Sequence, residues 1–218
     1  MTRRTTRLTL DDLEALPGAC AGCLFWELDP VRRARIAQSE RCGEKEAWLS
    51  EVLREWGSCG QVAWVDDEAV GHVIYAPAAL VPGAQAFPTA PISTDALQLT
   101  TLYVDPGARG GGIGRELVRA MARDVIRRGG IRAVEAFGES RPGRAGRCVV
   151  PTGFLSSVGF KTQRAHPVHP RMRMDLRSAV TWRDEVEQAL ERLLGAVRPA
   201  PKTSRPPART ATRISTRH

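Results

Sequence analysis

Four glycines fall within five residues at Gly110-Gly111-Gly112-Ile113-Gly114, directly behind Arg109. Backbone that bare, at one point in a chain, marks a tight turn or a place where something must come close to the main chain. Ahead of it, Leu97, Leu99 and Thr101 alternate with Gln98, Thr100 and Leu102, a strand pattern that runs to Val104. Behind it, Ile113, Leu117, Met121 and Val125 recur at helical spacing, and Gly129-Gly130 stops the helix. A helix that starts on glycines offers first-turn N–H groups with no internal partner, at the positive end of its dipole. An anion can reach those groups because no Cβ stands in the way. Arg109 adds a planar cation able to fork onto phosphate oxygens. The segment is suited to hold a pyrophosphate.

Two common phosphate loops do not fit. A Walker A loop ends in Gly-Lys-Ser/Thr, which is absent from this segment. A dinucleotide fingerprint needs Gly-x-Gly-x-x-Gly after a first strand, and this loop lies mid-chain in a different frame.

The pattern Arg109-x-x-Gly112-x-Gly114, introduced by Val104-Asp105-Pro106, resembles the acyl-CoA loop of the GNAT superfamily of N-acetyltransferases. A second, more generic likeness is the short helix Gly153 to Gly159 followed by Phe160. The order of elements over roughly residues 6–177 is similar too. The resemblance implies an α/β (α+β) fold, with a central mixed, mostly antiparallel sheet flanked by helices. It also implies acetyl-CoA as cosubstrate and direct transfer to an amine of a small molecule or peptide, with no metal. On that resemblance the cofactor would lie along Leu102, Tyr103 and Val104 and on Arg109, Gly110, Gly111, Gly112, Ile113 and Gly114.

The chemistry then needs a base for the ammonium and an acid for the thiolate. Glu135 is the candidate base, on the strand that follows the cofactor helix; the alternative is a carboxylate paired with an arginine at the strand edge. Many relatives carry a tyrosine acid four residues before the glycine of the short helix, where this chain has Leu155. Ser156 is a weak replacement, with Ser157 and Cys148 nearby. Glu27, beside Trp26, is a weak candidate for selecting a cationic acceptor. A non-catalytic acyl-CoA-binding regulatory module is the alternative function.

Along the rest of the chain, strands are expected at Thr6–Leu10, Gln61–Val65, Ala69–Tyr75, Ile131–Phe137, from Phe160, and over Met172–Leu176. A short helix is expected from Asp11 and a longer one over Glu44–Trp56. Pro77–Asp95 and Gly138–Pro151 read as long loops. Residues 1–177 would form the domain and 178–195 an amphipathic helix packed on it. Residues 196–218 would be a disordered tail, with Arg198, Lys202, Arg205, Arg209, Arg213 and Arg217 and no acid. Those six charges account for most of the net +8, so the domain itself is nearly neutral and only the tail would touch nucleic acid, weakly.

No apolar run reaches the ~18–20 residues of a membrane span, and no secretory signal is apparent, so a cytoplasmic monomer or homodimer is expected. Of five cysteines, Cys20-x-x-Cys23 is the only close pair. Zinc would need two more ligands, and Cys42, Cys59 and His72 do not supply a second pair. Free thiols are expected, with a redox-sensitive pair as the alternative.

Overall fold

The computed structural model describes residues 2–141 and 148–176. The expected helix over 178–195 and the basic segment 196–218 lie outside them. Eight strands form one sheet: β1 (Arg3–Arg7), β2 (Gly60–Val65), β3 (Glu68–Ala76), β4 (Ala96–Val104), β5 (Ala133–Glu139), β6 (Val150–Pro151), β7 (Lys161–Arg164) and β8 (Arg171–Asp175). Their spatial order is β1-β2-β3-β4-β5-β8-β7, with β6 also on β5. Only β4–β5 and β5–β6 are parallel; the other pairs are antiparallel. The helices are α1 (Pro30–Arg35), α2 (Arg41–Glu55), α3 (Ile113–Arg128) and α4 (Thr152–Ser157). Among the described residues, none is long and apolar enough to cross a membrane.

The sheet is covered on both faces. Leu117, Met121 and Val125 of α3 are fully buried against Val73, Leu97, Leu99 and Val134. Trp48, Leu49 and Val52 of α2 cover Val62, Ile74 and Ala76 on the other face. Each such side chain contributes about 1.5–3 kcal/mol on leaving water. Local chemistry sets the corners. Asp66 and Asp67 turn β2 into β3 with φ of 47° and 68°, the left-handed pair a tight hairpin requires. Asp29 caps α1 by accepting from the amides of Val31 and Arg32 at 2.9 and 3.0 Å.

β4 carries the irregularity that matters most. Ile74 faces Thr101 while Tyr75 faces Leu99, so Thr100 is one residue too many for β3. Its hydroxyl donates to the Ile74 carbonyl at 3.0 Å. Crossing this bulge flips the side-chain alternation. Leu97 and Leu99 face α3 before it, and Leu102 and Val104 face α3 after it. The uninterrupted alternation expected from sequence therefore breaks in mid-strand.

β4 and β5 pair only through Ala96–Ala133, Leu97–Val134 and Gln98–Glu135. Beyond that point β4 runs on to Val104 beside β3, and β5 turns to β8 and β6. The two strands diverge into a V-shaped opening.

Several boundaries differ from expectation. The first strand is Arg3–Arg7, because it is fixed by pairing with β2 rather than by its own pattern. Residues 11–15 form turns and not a helix, whereas Pro30–Arg35 is a helix that no apolar periodicity announced.

Candidate active site

The glycine-rich loop sits at the end of the free half of β4. Asp105 shapes its entry by accepting from the Gly107 amide at 3.0 Å, and Pro106–Ala108 make one 3₁₀ turn. Gly110 and Gly112 then take φ of +82° and +85°, and a Cβ on either would meet open space. These two glycines are needed for their backbone angles and not for want of room. Gly112 caps α3, and the first amide to find a helical partner is that of Glu116, which donates to the Gly112 carbonyl at 3.0 Å. The amides of Ile113, Gly114 and Arg115 precede that bond and have no carbonyl one turn behind them. Gly114 has a different reason to be glycine, since a Cβ there would press on the Phe154 ring of α4 at 3.0 Å.

Two arginines border this cradle. Arg109 donates from Nε to the Val104 carbonyl at 2.9 Å, which holds its guanidinium over the end of β4. Arg3, from the edge strand, donates from Nη1 to the Gly111 carbonyl at 2.9 Å. Sequence reasoning missed Arg3, because its contact spans 108 residues.

Leu102, Tyr103 and Val104 divide their side chains between the two faces. Leu102 and Val104 pack toward α3. Tyr103 lies on the α2 face over His72 of β3, with ring centroids 5.9 Å apart, and Gly18 packs against the outer end of its ring. What these residues can present to the V-shaped opening is backbone. His72 is fully buried, and neither ring nitrogen has a hydrogen-bond partner. Burial, with a smaller contribution from the Lys45 ammonium, holds its pKa down at about 3, so the ring is neutral.

Glu135 faces the α2 side, where its carboxylate is ion-paired and hydrogen-bonded. Arg173 Nη1 lies 3.1 Å from Oε1, Arg171 Nε lies 3.3 Å from Oε2, and the Ser93 amide donates to Oε2 at 3.1 Å. It sits where β4 and β5 are still paired, before the opening. The arginine pairing of the alternative is present, but with two arginines and from β8, which lies inside the sheet and not at its edge.

Glu27 and Trp26 are likewise both 1% exposed. Glu27 forms a buried ion pair with Lys45, whose ammonium also donates to the Cys23 carbonyl at 3.3 Å. Trp26 stacks on Phe87, with centroids 5.0 Å apart, and Phe87 on Phe137 at 4.5 Å. Both side chains are turned into the fold, Glu27 toward Lys45 and Trp26 toward Phe87.

Ser156 is exposed, while Leu155 is fully buried in the α3-side core. The position that carries tyrosine in many relatives thus points away from solvent here. Ser157 is committed to the Phe154 carbonyl at 2.7 Å.

The four buried carboxylates among the described residues are all ion-paired. Besides Glu27 and Glu135, Glu139 is held by Arg141 at 2.8 Å, and Asp124 lies 3.4 Å from both Arg7 and Arg127. Arg141 holds the Glu139 carboxyl down at about 2. No group of three or more metal-ligating side chains occurs among the described residues. Cys23 lies 3.3 Å from Cys148, sulfur to sulfur, rather than pairing with Cys20.

A family model described as the acetyltransferase (GNAT) family matches residues 24–144, more than half of the chain. The structure is similar to an N-acetyltransferase from Staphylococcus aureus Mu50, with TM-score 0.53 and 16% identity, over 81% of this chain and 99% of that one. It is also similar to the PaiA N-acetyltransferase of Thermoplasma acidophilum in complex with coenzyme A. There the TM-score is 0.51 and the identity 15%, over 80% of this chain and 99% of that one. At these identities the likeness shows the fold alone. No curated protein matches the sequence.

Proposed function

The chain belongs to the GNAT family of acetyltransferases, and we propose that it moves an acetyl group from acetyl-CoA directly to an amine of a small molecule or peptide. The observation that carries this reading is the continuity of the free edge of β4 with the glycine cradle at its end. One strand edge and one helix start, in line, match a ligand that is an amide-bearing arm ending in a pyrophosphate.

In this reading the amides of Ile113, Gly114 and Arg115 receive the pyrophosphate, with Arg109 and Arg3 as flanking cations. The two amide groups of the pantetheine arm pair with the backbone of Leu102–Val104. A β4 amide near the apex of the V donates to the thioester oxygen, where negative charge gathers as the amine attacks. The new C–N bond forms and the C–S bond breaks; the nitrogen gives up its surplus proton through water to the departing thiolate, which leaves as the thiol.

The paired state of every buried carboxylate among the described residues supports one further feature. The acceptor reaches the thioester as the free amine, its proton already passed to water. Binding and orientation then supply most of the acceleration.

The test is calorimetric titration of acetyl-CoA, with desulfo-CoA and NADH as controls, followed by release of free thiol with a panel of amines. Saturable binding of the two CoA compounds alone, and thiol release that depends on the amine, is the expected result. Binding without amine-dependent release would favour a regulatory acyl-CoA-binding module, and no binding would overturn the site.

A further inference from the structure

We propose that Cys23 and Cys148 are a reversible redox pair, which a peroxide or glutathione disulfide closes into a bridge between the loop ahead of α1 and the chain entering β6. The two residues are 125 positions apart, yet their sulfurs already touch at 3.3 Å. Each is held in place through its own backbone. The Cys148 carbonyl accepts from Trp26 Nε1 at 2.8 Å, and the Cys23 carbonyl accepts from Lys45 Nζ at 3.3 Å. The Cys23 amide donates to the Cys20 carbonyl at 3.3 Å. The sulfurs must close from this contact to the ~2.05 Å of a disulfide bond.

The other cysteines are placed differently. Cys20 and Cys59 are buried, and desolvation pushes their thiols up to about 11 and about 12. Cys42 is exposed. Cys23 and Cys148 are partly exposed, within reach of a small oxidant. The contact between the two sulfurs holds the Cys23 thiol down at about 6 and, together with burial, raises that of Cys148. The Lys45 ammonium, bonded to the Cys23 carbonyl, favours negative charge at Cys23, which is assigned as the attacking thiolate, with Cys148 as the resolving thiol.

With a peroxide, the Cys23 thiolate attacks one oxygen and the O–O bond breaks, leaving Cys23 as sulfenic acid and releasing water after protonation. The Cys148 sulfur then attacks the Cys23 sulfur and the S–O bond breaks with loss of a second water. Two thiols and one peroxide give one disulfide and two waters. With glutathione disulfide, two exchange steps release two glutathione thiols. A dithiol reductant reverses either route.

The bridge would stiffen the wall built on Trp26, Phe87 and Phe137 without touching the glycine cradle. Its formation does not depend on the acyltransfer reading, so each can fail without the other.

The test is mild oxidation of the full chain with hydrogen peroxide or glutathione disulfide, followed by thiol titration after unfolding and peptide mapping. Titratable thiols should fall from five by two, with one linked peptide pair containing Cys23 and Cys148 and full recovery on reduction. Cys20→Ser should still form the link. Cys148→Ser should instead accumulate a dimedone-reactive sulfenic acid at Cys23. Acetyl-CoA affinity should be unchanged between the two states. A Cys20–Cys23 link, links between chains, or oxidation without any link would each overturn the proposal.

Discussion

Arg173 reaches Glu135 Oε1 at 3.1 Å while the same guanidinium closes a fork on Asp95 at 2.9 and 3.0 Å. One side chain thus fastens β8 to β5 and to the end of the Pro77–Asp95 loop. Glu135→Gln should therefore cost stability and spare turnover. A loss of about 3 kcal/mol in urea unfolding is expected, the low end for breaking a buried pair, because Arg173 keeps Asp95 and Asp175. A large fall in turnover at unchanged stability would restore Glu135 as the base.

If the acceptor arrives as the free amine, the pH profile of kcat/KM belongs to the acceptor. With a lysine-like amine it should climb about tenfold per pH unit toward ~10.4. An inflection well below that value, unmoved when the acceptor is changed for one of lower pKa, would show a base in the protein.

Gly112→Asp adds both a carboxylate and an unfavourable backbone angle at φ +85°. Acetyl-CoA affinity should fall at least tenfold, about 1.4 kcal/mol. Gly112→Ala, which adds only the strained angle, should cost about 1 kcal/mol of stability and weaken binding less. Equal binding by Gly112→Asp and the unaltered chain would move the cradle elsewhere.

His72 titrates near 6.5 when unfolded and at about 3 when folded, so acid charges the unfolded chain first. Its contribution to stability is whole above pH 6.5 and is lost as the pH falls from there toward 3. His72→Leu should flatten the stability curve over that window, measured by urea midpoints at steps of pH. An unchanged slope would mean that the ring is hydrated or paired in solution.

Leu155→Tyr places a phenol where Leu155 is fully buried, beside Gly138. Overpacking should lower stability by about 1–3 kcal/mol with no gain in turnover. A stable, faster variant would mean that the helix can turn this position toward the thioester.

Much of the architecture was legible because local pattern dictated it. The succession of strand, glycine loop and helix over 97–128 can be read from the sequence, though not the extra residue at Thr100, and so can the two strands on either side of Asp66-Asp67. What escaped depends on partners distant in the chain. The Lys45 partner of Glu27 is supplied by α2 and the two arginines beside Glu135 by β8, and neither can be read from the residues around them. Cys23 suggests Cys20 by spacing, but the fold supplies Cys148. Arg3 lies outside any motif, yet it reaches the cradle. Periodicity reports a face, and it does not report what the opposite element contributes.

The extra residue at Thr100 has a bearing on how this chain is compared with others. Counting by twos along β4 from Leu97 lands on Tyr103, which faces α2, although Leu97 faces α3. An alignment that slides this insertion by one position would exchange inward and outward roles for every residue between the two placements. Transfer of side-chain duties along this strand is therefore sound only when the unpaired residue is matched first and the neighbours are numbered outward from it.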